Sequence, residues 1–310
     1  MRCSEPIHRY NPELTIEWLE SHCIVHDEFL DLLEIDHSII RNNGAEYVIQ
    51  VSLYDVCSKS QTGLGKNDKD KFNSRYYGGL VNNVKNLGML REDVAVELFV
   101  DPTLADLVIN DEALDCDRVN VHIMKRPSLG NTGMYWRLLL PNVLDGRRCN
   151  HAVQLDIDHV WKDHWGLLKN HFPVAPLFYG RKVDVFDVCG TTLAKKYTPI
   201  SGGAWSYDPK DITFNVSNAV ARFWDYCCMT LALIEPKNEY NQPCAGHPNG
   251  FGNTWNAYGS DERFLAKVMY YHLARKGALN IAMHEASVYH EPERANIDFI
   301  TRHGGKVVYV

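Results

Sequence analysis

Two aspartates, Asp156 and Asp158, close the apolar run Ala152-Val153-Gln154-Leu155. In an extended strand, residues i and i+2 share a face. A strand leading into Asp156-Ile157-Asp158 therefore sets two carboxylates side by side, where they repel unless a cation lies between them. Hard carboxylate oxygens suit Mg²⁺ or Mn²⁺. At the carboxyl end of a strand in an open α/β sheet, such a pair faces the crevice where ligands bind. The competing reading is a helix cap followed by a surface aspartate, since Asp-x-Asp is short and aspartates often end strands.

Upstream of the pair stands Gly133-Met134-Tyr135-Trp136-Arg137-Leu138-Leu139-Leu140-Pro141, and downstream Asp163-His164-Trp165-Gly166-Leu167-Leu168. In that order the segments resemble the heart of the nucleotide-sugar glycosyltransferases with the GT-A fold. They are most similar to family 8, the lipopolysaccharide galactosyltransferase and glycogenin-like group, in which a Tyr-x-Arg-Leu helix runs into a Leu-Asp-x-Asp strand. The resemblance covers about residues 130–168, with weaker correspondence from Tyr47 to Val310. It implies that Asp156 and Asp158 chelate Mn²⁺ or Mg²⁺ on the diphosphate of a nucleotide-sugar donor, a UDP-sugar first. It implies also that Arg137 neutralises phosphate or holds the donor sugar. A departing nucleoside diphosphate gains charge in the transition state, which a metal and a guanidinium stabilise. The alternative for Arg137 is a surface arginine lying along its own helix.

The same resemblance extends to other positions. The nucleoside would sit at Leu53-Tyr54-Asp55, with Tyr54 stacking on uracil and Asp55 accepting from its ring N–H. Arg75, opening the next helix, would meet phosphate. Otherwise Tyr54 is core and Arg75 pairs with a nearby acid. Ile200-Ser201-Gly202-Gly203-Ala204-Trp205 is similar to the family's Asn-x-Gly segment, where Gly202 and Gly203 let a sugar approach the backbone. Ser201 replaces the Asn, and a plain turn is the alternative. Tyr258-Gly259-Ser260-Asp261-Glu262-Arg263-Phe264-Leu265 is similar to the Asp-Gln-x-x-Leu segment. There Asp261 would orient the acceptor hydroxyl or act as general base, with Glu262 as its substitute. An acidic first helical turn explains the same residues. The family's C-terminal His-x-x-Gly-x-x-Lys-Pro-Trp element is absent, which leaves His284 or His290, with His290 preferred, as the third metal ligand.

Strands and helices must position these residues. Strands are expected at 47–53, 94–100, 119–124 and 152–157. Helices are expected at 74–90, where Tyr77, Leu80, Val81, Val84 and Leu87 follow the i, i+3, i+4, i+7 rhythm, and at 104–109 and 132–144. Such alternation argues for βαβ units and a mostly parallel sheet. Residues 1–44 read as an N-terminal helical extension, 45–170 as a nucleotide-sugar-binding half, and 171–310 as an acceptor-binding half of the same domain. In that second half, helices are expected at 215–229 and 261–275, with Ser260 as N-cap. The expected fold class is α/β, a single GT-A-type domain.

Composition narrows the partners. Lys+Arg is 32 and Asp+Glu 39, a net charge of −7. That disfavours a duplex nucleic-acid acceptor, which needs a basic field, though the Lys/Arg patches at 59–71 and 195–196 keep one open; a glycan or other hydroxyl compound is the expected acceptor. No run approaches the ~18–20 apolar residues of a membrane-spanning helix, and the N-terminus does not read as a secretory signal. Nine scattered cysteines without metal-ligand spacing suggest a reduced, cytoplasmic protein. The aromatic load is high, with 16 Tyr, 11 Phe and 7 Trp. Tyr54, Tyr135, Trp136, Trp161 and Trp165 are expected beside the donor, and Trp205, Trp255 and Tyr258 on the acceptor side. Two other functions compete. Asp156-Ile157-Asp158-His159-Val160 also fits a haloacid-dehalogenase-type phosphatase, with Asp156 as nucleophile, Asp158 as acid–base, and Thr191 and Lys195 downstream. A non-catalytic carbohydrate-binding protein is the third reading.

Overall fold

The structure is a computed structural model that describes residues 14–55, 72–162, 167–168, 174–176, 203–232, 260–283 and 301–309. The described chain begins with helices α1 (Ile16–His22) and α2 (Asp27–Asp31) and strand β1 (Ile35–Ile39). Strand β2 (Tyr47–Leu53) follows, then a π-helical segment (Phe72–Tyr77) continuing into α3 (Gly78–Lys85) and α4 (Leu87–Leu90). Next come β3 (Val94–Val100), α5 (Ala105–Ile109) and β4 (Val119–Met124). Helix α6 (Gly133–Trp136), a 3₁₀ turn (Arg137–Leu139) and α7 (Leu140–Val143) lead to β5 (His151–Leu155). The remainder contains β6 (Val174–Pro176), β7 (Ala204–Tyr207), α8 (Val216–Ala232), α9 (Ser260–Phe264), α10 (Tyr270–Arg275), β8 (Asn280–Met283) and β9 (Val307–Tyr309).

The fold is α/β. Its six-stranded sheet has the order β1-β4-β3-β2-β5-β7. The four inner strands are parallel, with Tyr47 opposite Val94 on one side and His151 on the other. The edge strands β1 and β7 run antiparallel, so the sheet is mixed. Every residue of β2, β3, β4 and β5 is buried. That is the physical reason these segments are largely apolar, because inner strands of an α/β sheet are covered on both faces. On one face Leu80, Val84 and Leu87 pack against Ile49, Val51, Val96 and Leu98. On the other, Trp136, Leu139, Trp224 and Phe223 share a cluster with Val48, Phe99 and Ala152. A second, three-stranded parallel sheet has the order β6-β8-β9.

Within residues 14–44 the expected helical extension consists of two short helices and then a strand. Strand β1 satisfies the outer edge of β4, with Ile39 opposite Val121, because backbone groups along an open edge need partners. The two helices are tied to α8. The Ile24 amide donates to Asp225 (2.8 Å), His26 Nε2 contacts the other oxygen of that carboxylate (2.9 Å), and Phe29 packs edge-on to Trp224.

One feature of the covered sheet is not apolar. Glu97, Asn120, His122, Gln50 and Gln154 are all buried in the inner strands. Glu97 accepts from Asn120 (2.9 Å), contacts His122 Nε2 (2.6 Å) and receives both terminal nitrogens of Arg147, while His122 Nδ1 meets Ser38 on β1 (2.7 Å). Gln50 bridges Gln154 (3.1 Å) and the Tyr207 hydroxyl (2.7 Å). Burial pushes the Glu97 carboxyl up, but the hydrogen bonds from His122 and Arg147 outweigh it and hold it below the ordinary 4.5. A depressed carboxylate contributes stability that is complete above pH 4.5 and is lost as pH falls through its folded value. Glu97→Gln should cost on the order of 3 kcal/mol at pH 7, since it leaves Arg147 without its anion. It should also flatten the acid limb: urea midpoints taken from pH 7 to pH 3 should fall less steeply in the variant than in the parent below pH 4.5. Equal slopes would show that Glu97 does not drive the acid response.

Candidate functional site

After β2 the chain adds β3 and β4 to one side of the sheet, while β5 and β7 lie on the other. The β2/β5 pair is therefore a topological switch point, and outside the carboxyl ends of such strands an open α/β sheet leaves a crevice. Tyr54 and Asp55 follow β2 directly, and Asp156 follows β5.

Strand β5 ends at Leu155, so Asp156 and Asp158 lie in a turn rather than in the strand itself. The turn brings the two carboxylates together with a third group. One ligand atom from each of Asp156, Asp158 and His159 lies within 4.8 Å of the others. His159 is exposed, Asp158 and Asp156 half-buried. The third ligand expected at His290 falls outside the described residues, as does His284. Strand alternation does not predict His159, one residue past the aspartates, as a ligand, because it gives that residue the opposite side. In a turn, that alternation no longer applies.

Gly203 lies directly against Asp156. The Asp156 amide donates to the Gly203 carbonyl (3.1 Å), and a Cβ on Gly203 would stand 2.1 Å from Asp156 Oδ2. Glycine here makes room for the carboxylate. Gly202 lies outside the described residues.

Arg137 joins three elements. It is buried, and its guanidinium donates through Nη1 to Asp156 Oδ1 (2.8 Å) and through Nη2 to Asp261 Oδ2 (3.0 Å). Burial alone would lower the guanidinium's pKa, but Asp156 and Asp261 outweigh that and raise it above its ordinary value. The arginine is not a surface side chain lying on its own helix. Both terminal nitrogens hold carboxylates, so it is a positioning residue for Asp156 instead of an open phosphate clamp. Asp261 stands in the first turn of α9, which opens at Ser260, yet it is fully buried and directed at Arg137. The acid expected to orient the acceptor hydroxyl or act as general base is thus a buried counter-ion to Arg137. The side chain of Glu262 lies outside the described set.

Arg75 pairs with Asp158 at 2.7 Å and remains 46% exposed, against 13% for the aspartate. The nearby acid foreseen for Arg75 is thus one of the two site aspartates. Three carboxylates (Asp156, Asp158, Asp261) face two guanidiniums (Arg75, Arg137), an excess of one negative charge before any cation binds. That balance and the oxygen-rich donor set fit a hard divalent ion, with His159 as a borderline nitrogen ligand.

The aromatic expectations divide. Tyr54 is half-buried at the crevice, its ring edge-on to Trp136 at 6.2 Å. Tyr135 and Trp136 are fully buried core residues, and Trp205 is fully buried, stacked on Tyr207 at 4.6 Å. Trp205 therefore cannot contact an acceptor. Its position on β7 points it into the α8 cluster, where its area is worth more buried than exposed. Trp161 is buried beneath the aspartate turn, its Nε1 donating to the Asp156 carbonyl (3.1 Å). Trp165, Trp255, Tyr258, Thr191 and Lys195 lie outside the described residues. Among the described residues no helix is long and apolar enough to cross a membrane. No protein-family model, curated protein or solved structure matches this chain.

Proposed function

We propose that this chain is a divalent-metal-dependent glycosyltransferase of GT-A type. It would take a nucleotide-diphosphate sugar, a UDP-sugar first, and pass the sugar to a glycan or other hydroxyl acceptor. The observation that supports the reading is the Asp156–Asp158–His159 cluster at the β2/β5 switch point, with Arg75 on one carboxylate and Arg137 on the other. Asp156, Asp158 and His159 would hold Mn²⁺ or Mg²⁺, which when bound supplies charge stabilisation to a diphosphate leaving group. Asp261 fixes Arg137, and Arg137 fixes Asp156. Arg75, half in solvent, neutralises Asp158 and, with a cation on that carboxylate, would be available to a phosphate oxygen. Tyr54 and Asp55 at the end of β2 stand on the nucleoside side. The net charge of −7 keeps a nucleic-acid acceptor disfavoured. The described cysteines Cys116, Cys149 and Cys228 are free thiols, which suits a reducing, cytoplasmic setting.

A ligand that binds only the native state stabilises it by about 2.7 kcal/mol at a hundredfold excess over Kd. Thermal unfolding with UDP-, GDP- and TDP-sugars should therefore rise by several degrees for one nucleotide, and only when Mn²⁺ or Mg²⁺ is present. No shift with any donor and metal, or Asp156-dependent phosphate release from an aryl phosphate, would overturn the proposal.

A further inference from the structure

Helix α3 carries two asparagines, Asn82 and Asn83, and a third, Asn86, caps its end. Asn82 and Asn86 are exposed, and Asn86 simply caps back onto the Asn82 carbonyl (2.7 Å). Asn83 is buried mid-helix, where asparagine is a poor helix former because its amide competes for backbone groups. Its amide serves a different segment altogether. Nδ2 donates to the carbonyls of Ile157 (3.3 Å) and His159 (2.8 Å), and Oδ1 accepts from the Trp161 amide (3.0 Å). A single side chain thus satisfies three backbone groups within five residues of the aspartate turn. Left unmade, such buried bonds cost about 1–3 kcal/mol each.

One helical turn earlier, on the same face, stands Gly79. A Cβ there would lie 2.4 Å from the Ile157 carbonyl oxygen and 3.5 Å from Asp158 Cα. The helix face therefore admits the turn at Gly79 and pins it at Asn83. With Trp161 Nε1 on the Asp156 carbonyl, the backbone of the turn is held from below by side chains. The carboxylates of Asp156 and Asp158 and the His159 imidazole are left to converge above it.

We infer that Asn83, with Gly79 as the space that lets it act, is the positioning residue of the Asp156–His159 turn and sets its affinity for a divalent ion. The inference rests on reading that turn as a metal site. Loss of a partner that orients a metal shell typically lowers affinity by about 10–100-fold.

The test is Mn²⁺ titration of the full-length protein by electron paramagnetic resonance, with thermal unfolding alongside. Asn83→Leu should weaken Mn²⁺ binding at least about tenfold. Gly79→Ala keeps the Asn83 side chain and favours the helix, so it should not lose stability through propensity. Its added methyl must displace the turn, and a similar loss of affinity is expected. Val84→Ala trims a buried contact of the same helix and leaves Gly79 and Asn83 in place. It should lower the unfolding temperature and leave Mn²⁺ affinity in place. Unchanged affinity in both Asn83→Leu and Gly79→Ala, or an equal loss in Val84→Ala, overturns the inference while the metal reading stands. Absence of Mn²⁺ binding to the parent protein overturns both.

Discussion

Arg137→Met should destabilise the protein by about 3–5 kcal/mol, the usual consequence of removing one partner from a buried ion pair. Arg137 lies between Asp156 and Asp261, with its side chain 10% exposed and that of Asp261 only 1% exposed. Methionine fills a similar volume, so the loss is electrostatic rather than a cavity. Asp261 bears most of it, because Asp156 is 35% exposed and keeps water on one side. Combining Arg137→Met with Asp261→Asn removes the stranded charge and should recover part of the loss. The coupling in that double-mutant cycle should exceed 1 kcal/mol. Urea unfolding at pH 7 measures both quantities. A loss below 1 kcal/mol for the single variant, with additive behaviour in the double, would show that the three residues do not act as one unit. The same cycle separates scaffolding from chemistry: if Arg137 only positions Asp156, the double variant should regain stability without regaining metal binding.

Asp158→Ala should have the largest effect on activity and little effect on the fold. Its ion pair is with Arg75, half in solvent, and such pairs are worth about 0–1 kcal/mol. Unfolding should therefore move by less than about 1 kcal/mol, while metal-dependent transfer from a nucleotide sugar falls by on the order of 10²–10³, the size of losing one charge-stabilising group at a reacting centre. Asp156→Ala makes a poorer test, because it also strips a partner from buried Arg137 and so mixes stability with chemistry. Full transfer activity in Asp158→Ala would refute the metal assignment. A loss of activity matched by a loss of several kcal/mol in stability would refute the division of labour between the two aspartates.

Much of the sheet is legible in the linear pattern. The runs at 47–53 and 94–100 are strands in the structure with those bounds, because inner parallel strands are buried on both faces and must be apolar almost throughout. Helix α8 and the helical stretch opening at Ser260 are readable for the related reason that a face packed on a sheet repeats every three to four residues. Strand β1 is not readable in that way. It is half-buried only at its two ends and exposed and polar in the middle, and its strand character comes from the edge of β4. The polar row through Glu97, His122 and Gln50 is likewise invisible, since a glutamate inside Val94–Val100 gives no sign that Arg147, fifty residues on, will meet it.

The candidate site shows the same division. The chain by itself determined that two aspartates end an apolar strand, that Arg137 precedes them on a helix, and that glycines and an acid stand farther on, because residue type and local spacing are covalent facts. Only the tertiary structure decided what these residues do to one another. It turned Arg137 from a ligand-facing cation into the clasp between Asp156 and Asp261, turned Trp205 inward, drew His159 beside the aspartates, and set Asn83 beneath their turn. Apart from His159, which a local turn brings round, those outcomes depend on contacts between residues 19 to 124 positions apart in sequence. Their energies come from burial and from the loss of competing water, which exist only once the sheet has closed over its helices.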